Sequence, residues 1–296
     1  MRRIHVTGGN GYIGRGIVAG LGRDPRFSLS WSDVPDVDVL DAASLRACFE
    51  REKPDTVIHL AGMMGARLST TDLHRFFAVN SVGVLNALDA ALNAGVSGFV
   101  LMSSLTVYGQ NDGATPVTEE TPFRPRHVYG SSKAAAEYYV RDYARFARLN
   151  AVVLRPTIIP GNLAGEPNAI NEFCTNVVRD EPIVIFGRGS HSREWLSLAD
   201  LVRAVEKTLL FMEGKQGVNE DFIVSSGRGI TMMDLAETCV RILGKGRIET
   251  VDRETSQAFS LTSDITKART VLGWHPEDGV ETIIRDVARA IETRRA

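Results

Sequence analysis

The sequence predicts an α/β protein, a doubly wound parallel sheet followed by a smaller C-terminal lobe. Three observations predict it. Short apolar runs alternate with stretches of helical spacing through the first half, a glycine-rich turn joins the first run to the first helix, and after Pro156 the alternation breaks down. Ile4–Val6 is the first strand, and the helix after the turn carries Ile17, Val18 and Leu21 at helical spacing. Phe27–Trp31 is the second strand. The connection from Asp33 to Leu45 is short and rich in Asp and Pro, so an irregular loop is expected there, ahead of a helix over 43–52. Thr56–Leu60, Phe99–Met102 and Ala151–Leu154 supply further strands, with helices over 73–94 and 130–149 between them. Parallel neighbours need such crossovers, so this rhythm specifies a parallel sheet rather than hairpins. The first domain is expected to span 1–156 and the second lobe 157–296, with some late segments returning to the first. The lobe should pack over the carboxyl ends of the strands, where open α/β sheets bind ligands.

Composition excludes several classes. The chain has 296 residues, is 44% hydrophobic and 24% charged, and its formal charge is −2 with no long basic run, so no nucleic-acid partner is expected. The chain enters a strand by Ile4, which leaves no room for a signal peptide, and no apolar run is read as reaching the ~18 residues of a membrane span. A cytoplasmic protein without a membrane partner is expected. Cys48, Cys174 and Cys239 are widely spaced within helical patterns and read as small core residues, not as a disulfide framework or metal site. The histidines lack ligand spacing, so no metal is expected, and His59 at a strand end reads as locally hydrogen-bonded.

The turn carries the first functional signal. Gly8, Gly11 and Gly14 stand as G-x-x-G-x-x-G between strand and helix, the arrangement of a Rossmann dinucleotide site. The first glycine permits the tight turn, the second admits a pyrophosphate to the backbone, and the third allows close helix packing. Asp33 ends the next apolar stretch, where a carboxylate accepts from a ribose 2′-hydroxyl and repels a 2′-phosphate. NAD is therefore expected over NADP, although Asp36, Asp38 and Asp41 crowd the same region.

The second signal is Tyr129-Gly130-Ser131-Ser132-Lys133. It sets a phenol and an ammonium four residues apart on one helix face, and of the six tyrosines only Tyr129 has this spacing. A fixed cation favours phenolate, and a phenolate can take the proton from an alcohol as its carbon gives up hydride. Upstream, Ser103-Ser104 ends a strand and offers a hydroxyl to the same chemistry.

With these elements in order, TGGNGYIG (7–14), HLAG (59–62), Asn80 in NSVG, SSLTVYG (103–109), YGSSK (129–133), LRP (154–156), SREW with Asp200 after it, and DITKARTVLGW (264–274) resemble the extended short-chain dehydrogenase/reductases, in particular the sugar-nucleotide epimerase/dehydratase group. The resemblance spans nearly the whole chain. It implies catalytic roles for Ser104, Tyr129 and Lys133, and contacts to NAD from the glycine turn with Tyr12 and Ile13, from Asp33, Asp38 and Val39, from Leu60, Ala61 and Gly62, and from Asn80, Tyr129, Lys133 and Pro156. It further implies a nucleotide-diphosphate sugar as substrate, met by Met64, Ser104, Thr106, Tyr129 and Ile158, with Arg193 clamping the diphosphate and Arg253 as a second clamp.

Dehydratases of this group carry Asp-Glu after the catalytic hydroxyl residue, whereas Leu105 and Thr106 follow Ser104 here. The stretch Thr106-Val107-Tyr108-Gly109 is instead similar to UDP-hexose 4-epimerases. Met64 and Ile158 stand where those enzymes carry Lys and Asn, which points to a deoxy or otherwise altered sugar, or to a reductase. The expected activity is thus an NAD-dependent nucleotide-sugar 4-epimerase. A nucleotide-sugar 4-ketoreductase or dehydrogenase with the same residues is the alternative, and a non-catalytic nucleotide-binding regulator is disfavoured by the intact Ser104, Tyr129 and Lys133. The apolar faces of the helices over 73–94 and 130–149 suggest a homodimer joined by a four-helix bundle, as the resemblance implies.

Overall fold

The computed structural model describes residues 1–64, 72–111, 115–164, 168–253 and 260–295. Its main sheet follows the expected rhythm. The strands β1 (Arg2–Thr7), β2 (Phe27–Ser32), β3 (Thr56–His59), β4 (Gly98–Met102) and β5 (Asn150–Pro156) are joined by a sixth, β8 (Asn219–Val224). Their order is β2-β1-β3-β4-β5-β8, all parallel, with Ile4 of β1 in register with Leu29 and with Thr56.

The central strands β3, β4 and β5 are buried almost along their whole length because helices cover both faces. Ile4, Val6, Ile58, Val100, Val152, Leu154 and Phe222 pack on one side against Ile17 and Leu21 of α1 (Tyr12–Leu21) and against Leu201, Val205 and Leu209 further along the chain. Their alternates Val57, Phe99, Leu101, Ala151 and Val153 face the other layer. That layer is α2 (Ala42–Glu52), α3 (Leu73–Asn93) and α4 (Val128–Ala147), which contribute Leu45 and Phe49, Val84 and Leu88, and Ala136 and Val140. The irregular loop expected after Asp33 runs to Asp41, whose carboxylate caps α2 by accepting from the N–H groups of Ala43 and Ser44. Within α3 the residues Ala78–Val82 widen into a π-helical turn.

The second half supplies α5 (Ala169–Val178), β6 (Ile183–Phe186), β7 (Ser192–Arg193), α6 (Leu198–Met212), β9 (Ile230–Thr231), α7 (Met232–Leu243), β10 (Ile248–Val251), α8 (Thr266–Val271) and α9 (Val280–Arg295). Of these, α6 packs on α1, while β6 pairs with β10 and β7 with β9 in small sheets over a separate core built by α5, α7 and α9. Cys174 and Cys239 lie in that core and Cys48 in the core under α2; all are free and buried.

One expectation needs correcting. The run Leu73–Asn93 has 21 residues and a mean hydropathy of 1.2, long and apolar enough by length and composition to cross a bilayer. The sequence reading missed it because Asn80, Asn86, Asp89 and Asn93 interrupt the apolar residues. Half of the run is buried in the fold, against α2 and α4, as in the core helix of a sheet protein.

Candidate active site

The glycine turn lies at the carboxyl end of β1, where helix α1 begins. Gly8 adopts φ +75°, and a Cβ on it would sit 2.7 Å from the backbone nitrogen of Ala61; a Cβ on Gly14 would sit 2.3 Å from the Gly8 carbonyl oxygen. Side chains at either place would force the turn apart. Gly11 is the N-cap of α1 and no side chain caps its first turn, so the helix presents backbone N–H groups to an anion. The Asp33 carboxylate accepts from the N–H groups of Asn10 (3.0 Å) and Val34 (2.9 Å), which seats it beside the turn. This open backbone cradle with a carboxylate at its edge fits a dinucleotide.

The flanking residues divide into contacts and supports. Tyr12 donates its hydroxyl to the carbonyl of Pro160 at 2.8 Å and so ties the turn to the chain after β5, while Ile13 packs into the core beneath. Asp38 accepts from the N–H of Leu40 at 2.9 Å. The side chain of Val39 is buried against α3 and its carbonyl accepts from Asn86, which leaves its N–H as the group that could face a cofactor. Leu60 extends the β1–β3 pairing by donating to Thr7, Ala61 lies against Gly8 of the turn, and Gly62 lies beside Asn80 and Lys133. Pro156 is buried at the end of β5, in register with Val224.

Asn80 is fully buried in the π-helical turn and spends its amide on positioning. It accepts from the N–H of Met63 at 2.7 Å, donates to the Met63 carbonyl at 2.8 Å and reaches Ser132 of α4 at 3.2 Å. His59 pairs through Nδ1 with Thr7 at 2.9 Å and stacks on Phe99; burial pushes its pKa down to about 3, so it is a neutral structural residue.

Ser104, Tyr129 and Lys133 converge on this region. Ser104 follows β4, and its oxygen accepts from the N–H of Thr106 at 3.2 Å at the start of a short helix, Leu105–Tyr108. Tyr129 opens α4 with its ring edge against Phe76 of α3, centroids 6.1 Å apart. A Cβ on Gly130 would lie 2.5 Å from the Thr106 carbonyl oxygen, so a glycine after Tyr129 lets α4 approach the Ser104 loop. Lys133 is 5% exposed and donates to the Met102 carbonyl at 2.8 Å; a Cβ on Gly62 would meet its ammonium at 3.5 Å.

Burial pushes the Tyr129 hydroxyl up to about 12, and the hydrogen bond with Ser104 is the influence that lowers it. Burial also brings Lys133 down to about 8, partly opposed by Glu137 one turn on. The ammonium donates to Met102 at the end of β4, which holds it beneath the strand end.

The substrate-side residues are more dispersed. Thr106 has a buried hydroxyl without a hydrogen-bond partner among the described residues. Met64 is 51% and Ile158 36% exposed, the latter bridged to Trp195. Arg193 at the end of β7 is partly buried, and its pKa is pulled down to about 10 by burial and then by the nearby Arg126. Arg253, past β10, is exposed with its guanidinium over the ring of Phe186. Sequence reasoning gave no role to Phe76, Glu137 or Arg155, although Arg155 stands within the LRP motif (154–156). Glu137 was legible only as the residue one turn beyond Lys133.

Residues 4–223 match the model of the NAD dependent epimerase/dehydratase family. A UDP-glucose 4-epimerase of Rhizobium meliloti (strain 1021) is 28% identical over 308 residues, which cover 93% of this chain and 92% of its own. A dTDP-glucose 4,6-dehydratase of Streptomyces niveus is 28% identical over 316 residues, covering 95% and 91%. Among solved structures, the UDP-glucose 4-epimerase of Thermotoga maritima with UDP-glucose superposes with a TM-score of 0.89 at 26% identity, over 99% of this chain and 100% of its own. A match running from β1 into β8 takes in the whole strand order of the main sheet, and on it this chain belongs to the NAD dependent epimerase/dehydratase family.

Proposed function

We propose that the protein is an NAD-dependent nucleotide-sugar 4-epimerase, acting by transient oxidation at C4 of the sugar. The observation that carries this reading is the chemistry beside Ser104. Leu105 is buried at 3% exposure, and the Thr106 hydroxyl cannot exchange a proton near neutral pH, so no acid and base stand there to expel water from the sugar. What remains is one phenol and one serine hydroxyl, enough to move a proton on and off a single oxygen.

NAD, when bound, supplies the acceptor and then the donor of the C4 hydrogen, together with a cationic ring that favours the phenolate. Tyr129 takes the proton from the C4 hydroxyl and later returns it. Ser104 hydrogen-bonds the same oxygen and stabilises charge developing there. Lys133 keeps a positive charge beneath them, and Arg193 anchors the diphosphate. Exposed Met64 and Ile158 offer the hexose apolar contacts, which suits a ring that must turn between oxidation and reduction.

The same residues would serve a 4-ketoreductase, so the test follows the hydrogen. A nucleotide sugar deuterated at C4 should keep its label in the inverted product without added NADH. Stoichiometric consumption of NADH with a 4-keto substrate, and label passing from NADH into product, would reject the epimerase in favour of the reductase.

The functional unit in this reading is a homodimer formed through α3 and α4, which expose Leu73, Phe77, Val82, Tyr138 and Phe146. Three free, buried cysteines favour a reducing compartment, the cytoplasm.

A further inference from the structure

Behind the site lies a charged cluster that the chemistry above does not use. Arg155 of β5 and Glu137 of α4 are both fully buried. The guanidinium Nε donates to both carboxylate oxygens at 3.1 Å and Nη2 donates to Oε2 at 2.8 Å. Further donors of Arg155 reach the Tyr108 hydroxyl and Asp221 of β8, and its guanidinium lies 5.3 Å from the Tyr108 ring centroid and 5.0 Å from that of Phe123. Asp221 is held in addition by Arg141 at 2.8 Å and Lys267 at 3.3 Å.

Removing such charges from water is costly, and apolar residues of similar size often serve stability as well. The cluster's connections suggest why it is ionic. Ser103, the neighbour of Ser104, donates its hydroxyl to Glu137. Lys133 lies one turn before Glu137 on the same face of α4 and donates to Met102, the residue before Ser103. Tyr108 closes the short helix that Ser104 begins. One carboxylate thus touches the strand end that presents Ser104, sits beside the helix turn that carries Lys133, and is locked by an arginine from the next strand.

We propose that Glu137 and Arg155 are positioning residues whose buried ion pair holds Ser104 and Lys133 in register for the reaction. This rests on the catalytic reading of Ser104, Tyr129 and Lys133. The pair acts through its neighbours and does not touch substrate. Its carboxylate also sets the field at Lys133, which feels Glu137 from its own helix and acts in turn on His59 of β3. Burial brings Lys133 down to about 8 while Glu137 holds it up, so loss of the carboxylate charge lowers Lys133 further.

The experiment compares the holoenzyme with Glu137→Gln and with the double variant Glu137→Met/Arg155→Met, which leaves neither charge stranded. Expected for both is a kcat about tenfold or more below wild type, with NAD affinity within about twofold and a melting temperature that still reports a folded protein. The limb of the rate profile that falls with rising pH should move to lower pH by about one unit, because Lys133 loses its proton earlier. A folded double variant with wild-type kcat and an unmoved limb would overturn the proposal. So would equal losses of kcat and NAD affinity without a pH shift, the signature of a loosened fold. Should Glu137→Gln not fold, the double variant decides alone. Tyr129→Phe run alongside separates the two readings, since activity surviving in that variant defeats the catalytic assignment itself, whatever the ion pair does.

Discussion

At the scale of the residue, Asp33 shows how one side chain can hold two tasks. Its carboxylate secures the turn through Asn10 and Val34, and it stands at the end of β2 where the ribose of a dinucleotide is read. Asp33→Ala is expected to weaken NAD binding and to narrow the gap between NAD and NADP by roughly tenfold to a hundredfold, chiefly because a negative charge no longer faces the 2′-phosphate. Titration of both cofactors against both proteins measures it, and a wild type that already favours NADP would refute the reading of Asp33. Tyr129 carries the complementary lesson. Spacing alone assigns Lys133 to it as a charge partner, and packing gives the same ammonium the Met102 carbonyl as its acceptor.

At the scale of the element, the entry of α4 decides whether the hydroxyls of Tyr129 and Ser104 meet. Gly130 permits the helix to run against the Thr106 carbonyl, and Phe76 from α3 supports the Tyr129 ring from its edge. Gly130→Ala has helical dihedrals available, so its effect comes from the close approach: the new methyl must push α4 or the Ser104 loop aside by several tenths of an ångström. We expect kcat to fall about tenfold or more while NAD affinity changes little, because the cradle at Gly8 and Gly14 is untouched. Steady-state kinetics beside NAD titration checks this, and unchanged turnover would show that the loop can yield without cost. The π-helical turn in α3 carries the buried Asn80, whose amide meets Met63 and Ser132.

At the scale of the whole molecule, the second half of the chain is shared between the main sheet and a core of its own. The main sheet gains its last strand, β8, from the second half of the chain, and the network through Asp221, Arg141 and Lys267 ties that strand and α8 to α4. The apolar side chains left exposed on α3 and α4 lead to the remaining prediction. Light scattering at micromolar concentration should report a dimer, and replacing Phe77 and Phe146 by charged residues should shift it toward monomer, since charges in an apolar helix interface leave water unfavourably. A wild type that stays monomeric would exclude the four-helix interface.

The alternation of apolar strands and periodic helices determined the parallel sheet, because both faces of such a sheet must be covered and only that pattern covers them. The glycine turn and Y-x-x-x-K were legible for a similar reason: Gly8, Gly14 and the four-residue step act through local backbone geometry. Distances across the chain were not. The pairing of Arg155 with Glu137, the choice of Met102 by Lys133, the burial of Val39 and the identity of β8 as the late segment that returns to the sheet each join residues far apart in sequence. Only the tertiary structure decided them, because the free energy of a buried charge or amide depends on the donors and acceptors that packing brings to it, and no local pattern records those.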